Sequence, residues 1–112
     1  MSKHTPGPWE IEEESGSFSL VNRYHQGDDW CIAEVYGTGQ GIPIEVARAN
    51  AALLLAAPAL LAGLTDAATQ LRKYETLHRA KNTPDSLAKA EVNAALAARF
   101  EATIAAAVGG AE

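Results

Sequence analysis

The sequence predicts an α+β fold: a small N-terminal antiparallel sheet of about three strands, then a long kinked helix and a second, C-terminal helix that form a helical hairpin and assemble with further copies of the chain. Three observations predict it. Period-2 spacing with turn residues between the runs fills 9–36, a glycine-rich link follows at 37–43, and from Val46 onward the apolar spacing changes to 4-3. Length sets the scale: 112 residues suit one domain, 1–112.

Residues 1–8 are expected to be an extended arm, because Pro6 and Pro8 fix φ and remove two N–H donors. Trp9 and Ile11 open the first strand, and Glu12, Glu13 and Glu14 end it on a solvated edge. Ser15-Gly16-Ser17 is a turn signal. Phe18 and Leu20 start a second strand, and Gly27-Asp28-Asp29 marks the next turn. In the third strand Cys31, Ala33 and Val35 alternate with Trp30, Ile32, Glu34 and Tyr36. Both of its faces are fairly apolar, which suits a central strand with Cys31 buried as a small hydrophobe.

Pro43 suits the first turn of a helix, where its missing N–H costs nothing. Val46, Asn50, Leu53, Ala57, Leu60, Leu64, Ala67, Leu71, Tyr74 and His78 then keep a heptad-like seam, and a helix over 44–80 is expected, kinked at Pro58 or divided there into two. Asn50 is an odd polar residue on a core-facing seam, suited to setting register or to holding a ligand. Thr83 as N-cap, Pro84 in the first turn and Asp85 against the dipole restart a helix over 84–108, and Gly109-Gly110 stops it.

Burial is the weak point of such a chain, because alanine is the commonest of its apolar residues and aromatics make up 6%. A straight helix over 43–80 would reach about 55 Å at 1.5 Å per residue, far beyond strands of roughly 20 Å. Its apolar stripe runs on past the sheet, and stripes of that extent mark interfaces. A homo-oligomer is therefore expected, with Leu64, Leu71, Tyr74, Val92, Leu96 and Phe100 at the interface.

A net charge of −5 and the lack of any Lys/Arg run argue against duplex nucleic acid as partner. The longest apolar run, Ala51–Leu64, has 14 residues and falls short of a membrane span. No leader-like apolar segment lies in 1–9, and a lone cysteine cannot form an internal disulfide; a cytoplasmic protein is expected. No catalytic set stands out: Cys31 has no histidine near it, His4, His25 and His78 lack metal-ligand spacing, and no cofactor motif is present. A non-enzymatic binder is the expectation. Its candidate ligand residues are Arg23, Tyr24 and Trp30 for stacking and phosphate pairing, Gly39 in a link whose N–H groups face a helix start, and Arg48 with Asn50 beyond it.

Two segments carry a family resemblance. His4-Thr5-Pro6-Gly7-Pro8-Trp9 and the run Ala49-Asn50-Ala51 through Ala57-Pro58-Ala59-Leu60-Leu61 resemble small bacteriophage and prophage proteins that begin HTPGPW and carry an ANA-x-L-x-x-AAP-x-LL segment after a brief β region. The resemblance implies a phage accessory protein made in the bacterial host cell. Small non-enzymatic proteins of that kind often antagonise host immunity, which gives three readings. The chain sequesters a nucleotide immune signal as an oligomer; it inhibits a host defence complex by binding protein; or it is a structural or regulatory phage protein without a defence role.

Overall fold

The computed structural model describes residues 4–5, 7–25 and 28–109, and the side chains of 23–30 lie outside that description. The chain divides into two compact units, His4–Ala59 and a second formed from Leu60 onward.

The first unit is a three-stranded antiparallel meander in the order β1-β2-β3, with β1 at Glu10–Glu14, β2 at Ser17–His25 and β3 at Asp28–Val35. The β1–β2 turn has two central residues, Ser15 and Gly16, both at positive φ (53° and 80°), the geometry whose twist matches a two-residue hairpin. Hairpin connections place the middle segment in the middle of the sheet. The central strand is therefore β2, not the 30–36 segment expected there, and Phe18, Leu20 and Val21 on it are buried.

Register corrects a second expectation. Leu20 pairs with Ala33 but Val21 pairs with Cys31, so Ile32 is an extra residue in β3 and forms a bulge. Strict alternation would have put Cys31 on the same face as Ala33 and Val35. With the bulge between them, Ile32 and Ala33 both pack on the core while Cys31 is exposed.

After β3 the glycine link folds into one 3-10 turn, Thr38–Gln40, closed by Gly41 at φ 82°. Thr38 N–H donates to the Gly16 carbonyl (3.3 Å), so the link is tied to the β1–β2 turn. Helix α1, Ile44–Leu55, follows Pro43, whose carbonyl accepts from Val46 and Ala47 N–H. Ala47 and Ala51, one turn apart, pack on Phe18, Leu20 and Val35, with Ile44 and Leu55 at the margins. The face of α1 that meets the sheet is thus the alanine stripe. Val46, Asn50 and Leu53, expected to face the core, are exposed. Small side chains let the helix lie close to the sheet, and the larger ones are left outside.

Helix α1 ends at Leu55, Ala56 is a turn, and α2 runs Ala57–Lys81, so Pro58 sits in a first turn rather than inside one kinked helix. In the second unit α2 is followed by Asn82 at φ 54° and by α3, Pro84–Ala107. Thr83 Oγ1 accepts from Ser86 N–H (3.1 Å), the cap the sequence predicts. The two helices form an antiparallel hairpin with Ala68, Ser86, Ala90 and Ala97 buried. Arg72 grips Glu101 through Nε (3.0 Å) and Nη2 (2.6 Å) and reaches Glu75 (2.9 Å); Arg79 joins Glu75 (2.9 Å) to Glu91 (3.2 Å).

Candidate functional site

A cleft in the first unit lies beside the end of β3, against the outer flank of α1. Glu34, Val35 and Tyr36 line it from the strand side, Ile42 from the link, and Asn50, Leu53 and Leu54 from the helix, around about 660 Å³. The sequence builds it in a simple way. Strand alternation turns Glu34 outward and Val35 inward, and the chain leaves the sheet at Tyr36 before the glycine turn brings Ile42 back. Helical spacing then puts Asn50 and Leu54 one turn apart on the flank of α1. The walls are mostly apolar, with three polar groups: the Asn50 amide, the Glu34 carboxylate and the Tyr36 phenol. Such a cleft suits a flat or apolar group with one or two hydrogen bonds, and its carboxylate opposes an anion.

Among the described residues, Asn50 is the one expected ligand residue that lines this cleft. Arg48 is carried to the β1 side of α1, where its guanidinium meets Glu13 at 3.4 Å. Gly39 is exposed on the 3-10 turn. The N–H groups around it are already engaged: Gly37 donates to Gln40 Oε1, Thr38 to Gly16, Gln40 and Ile42 to Gly37, and Gly41 to Thr38. A phosphate there would have to displace these bonds. Arg23, Tyr24 and Trp30 are expectations whose side chains fall outside the described residues.

Two smaller grooves are described in the second unit. One, about 430 Å³, is lined in part by Thr65, Thr69, Arg72, Lys73 and Glu101. Its threonine hydroxyls are turned onto their own helix, Thr65 to the Leu61 carbonyl and Thr69 to that of Thr65. The Arg72 guanidinium donates to Glu101 and to Glu75, which holds it in its charged form; donation from Arg72 and then Arg79 holds the Glu75 carboxyl, and donation from Arg72 the Glu101 carboxyl, below the usual carboxylate range. The other groove, about 350 Å³, takes in His78, Asp85, Lys89 and Asn93, and His78 Nδ1 is buried there without a hydrogen-bond partner. Of the residues expected at an oligomer interface, Leu64, Leu71, Leu96 and Phe100 are half-buried within this unit, whereas Tyr74 and Val92 are exposed.

Among the described residues, no group of three His, Cys, Asp or Glu side chains is placed to hold a metal ion, and no single helix is long and apolar enough to cross a membrane. What the sequence reading missed is the role of Glu34, Tyr36, Leu53 and Leu54 as walls of one cleft. The signal was present in α1, which carries three polar residues in twelve where one buried stripe would have left a polar outer face.

Residues 1–111 fit the family model described as Salmonella phage P22 protein Y8K6. No curated protein and no solved structure matches the chain.

Proposed function

The chain belongs to the Salmonella phage P22 protein Y8K6 family, and from that premise we propose that it is a non-enzymatic, homo-oligomeric phage accessory protein that acts in the host cytoplasm by binding a protein of a bacterial defence system. The observation that carries this reading is the set of large apolar side chains left outside. Tyr36, Val46, Leu53 and Leu54 in the first unit and Leu60, Tyr74, Leu77 and Val92 in the second are all more than 40% exposed. Clusters of that kind are protein-facing surfaces.

Charge favours a protein over a nucleotide. Binding a phosphate calls for free guanidinium groups or open N–H donors. Arg48, Arg72 and Arg79, three of the four described arginine side chains, each meet a carboxylate, the N–H groups of Gly37, Thr38, Gln40 and Gly41 in the link are bonded, and Glu34 lines the cleft with Asn50. The nucleotide-sequestering reading keeps one supporting observation, a cleft of ligand size with Tyr36 and Asn50 to stack and pair a base.

Two measurements separate the readings. Phage with and without the gene are plated on hosts carrying defined defence systems and on hosts carrying none. A plating defect of the deletion phage confined to one defended host is the expected result, and equal plating everywhere overturns the anti-defence reading in favour of a structural or regulatory role. Calorimetry of the purified chain against cyclic di- and trinucleotides should give no heat; saturable heat would replace the protein partner with a nucleotide.

A further inference from the structure

The geometry points to strand addition: the partner presents an extended segment of alternating basic and apolar side chains, docked along the free edge of β3 and over the cleft beside α1. This rests on the reading of the chain as a protein binder and names the surface and the chemistry of what it takes. In the order β1-β2-β3, one side of β3 has no neighbouring strand. The β1–β2 turn fixes which main-chain groups face that side. Ser15-Gly16 is a two-residue hairpin loop, so Glu14 and Ser17 on either side of it bond to each other through their main chains. Alternation then turns the N–H and C=O of Phe18 and Leu20 toward β3, where they meet Val35 and Ala33. Glu34, between those two, turns its own N–H and C=O away from β2, and Tyr36, two residues on, keeps that direction. Among the described residues, no loop, cap or side chain bonds to the main chain of Glu34 or Tyr36. Such an edge specifies its occupant, because another extended chain answers a donor and an acceptor at every second residue.

The cleft and the charge specify the occupant's side chains. In an added strand they alternate between two faces. Those on the α1 side fall over Ile42, Leu53 and Leu54, where apolar residues fit. Those on the other side lie beside Glu34 and Tyr36, which alternate with the core residue Val35 and so share the face away from α1. The Glu34 carboxylate is exposed and meets no cation among the described residues, and none of the described cleft residues is cationic. A carboxylate and a phenol ring two residues apart select lysine or arginine, through ion pairing and the ring face. A net charge of −5 likewise favours a basic partner over a second copy of the chain. The β1 edge offers no equivalent: it carries a run of glutamates, and on its side the flank of α1 is tied down by Arg48 and Glu13.

The test uses the full chain and two synthetic peptides of equal length and composition, one alternating lysine with valine, the other with all lysines before all valines. Fluorescence anisotropy should give saturable binding of the alternating peptide, about tenfold tighter than the block peptide, since both carry the same charge but only one forms the two-faced strand. Glu34→Lys should weaken it about tenfold. Hydrogen exchange followed by NMR on the wild type needs no variant and decides the matter should Glu34→Lys misfold: the amides of Glu34 and Tyr36 should slow about tenfold or more when the alternating peptide binds. No saturable binding, equal binding of the two peptides, indifference to Glu34→Lys in a folded variant, or protection that misses Glu34 and Tyr36 overturns the edge as the site. Protection of those amides in the chain alone that disappears on dilution overturns it in favour of a second copy. Failure here beside a plating defect confined to one defended host leaves the functional reading standing. Peptide binding beside equal plating overturns the anti-defence reading and leaves the edge standing.

Discussion

Gly37 is fixed by its surroundings, not by its own backbone angles. A Cβ at Gly37 would overlap the Gly16 carbonyl, which is backbone and cannot swing aside. Gly16 in turn sits at φ 80° with the Thr38 hydroxyl where its own Cβ would go. Two glycines 21 positions apart are therefore one contact, between the β1–β2 turn and the link that delivers α1. Gly37→Ala should destabilise the chain by about 1–3 kcal/mol, as overpacking does. Gly39→Ala, whose Cβ meets nothing, should be close to neutral. Urea unfolding of the two variants side by side checks this, and equal midpoints would refute it. Cys31 makes the complementary point about what a single position reveals. Its exposure follows from one unpaired residue, Ile32, and no property of Cys31 itself announces the bulge.

At the scale of elements, sequence reading succeeded where a local chemical rule acts alone. Thr83-Pro84-Asp85 starts a helix because the hydroxyl, the missing N–H and the carboxylate each answer a need of that one turn, and the observed cap bond at 3.1 Å is that answer. Thr83→Ala should cost about 1 kcal/mol and lower the thermal midpoint of the helical signal. The β1–β2 turn and the break near Pro58 were legible for the same reason. The cleft was not, because Glu34, Tyr36, Asn50 and Leu54 come from two elements whose meeting depends on which face of α1 the sheet accepts. Heptad spacing pointed to Val46, Asn50 and Leu53, and packing chose Ala47 and Ala51, since close approach to Phe18 and Leu20 rewards small residues. The hairpin carries its own pH signature. Arg72 and Arg79 hold Glu75, and Arg72 holds Glu101, below the ordinary carboxylate range, so the folded hairpin binds fewer protons than the unfolded chain. That stability is fully present above the unfolded value near pH 4.3 and is lost as pH falls through the depressed values. Thermal midpoints should hold between pH 7 and about 5 and drop below about 4. Arg72→Gln should flatten that acid limb, and an acid limb unchanged in the variant would show the network to be idle.

For the whole molecule, net charge and apolar exposure act against each other, and their balance is measurable. On the homo-oligomeric reading each copy carries −5, so two copies repel, while the exposed apolar side chains would draw them together. At low ionic strength the repulsion is felt across the pair; at 0.1 M the Debye length is about 10 Å and much of it is screened. Self-association should therefore tighten as sodium chloride rises from about 20 to 300 mM. It should tighten again as the pH is lowered toward the isoelectric point near 5.1, where the charge vanishes and the hairpin ion pairs are still intact. An interface built on Arg48 or on any ionic contact between copies would show the opposite salt slope, as would capture of a polyanion. Sedimentation equilibrium across that salt range reads the sign directly. Association that weakens with salt would assign the contact to a charged surface rather than to exposed apolar side chains.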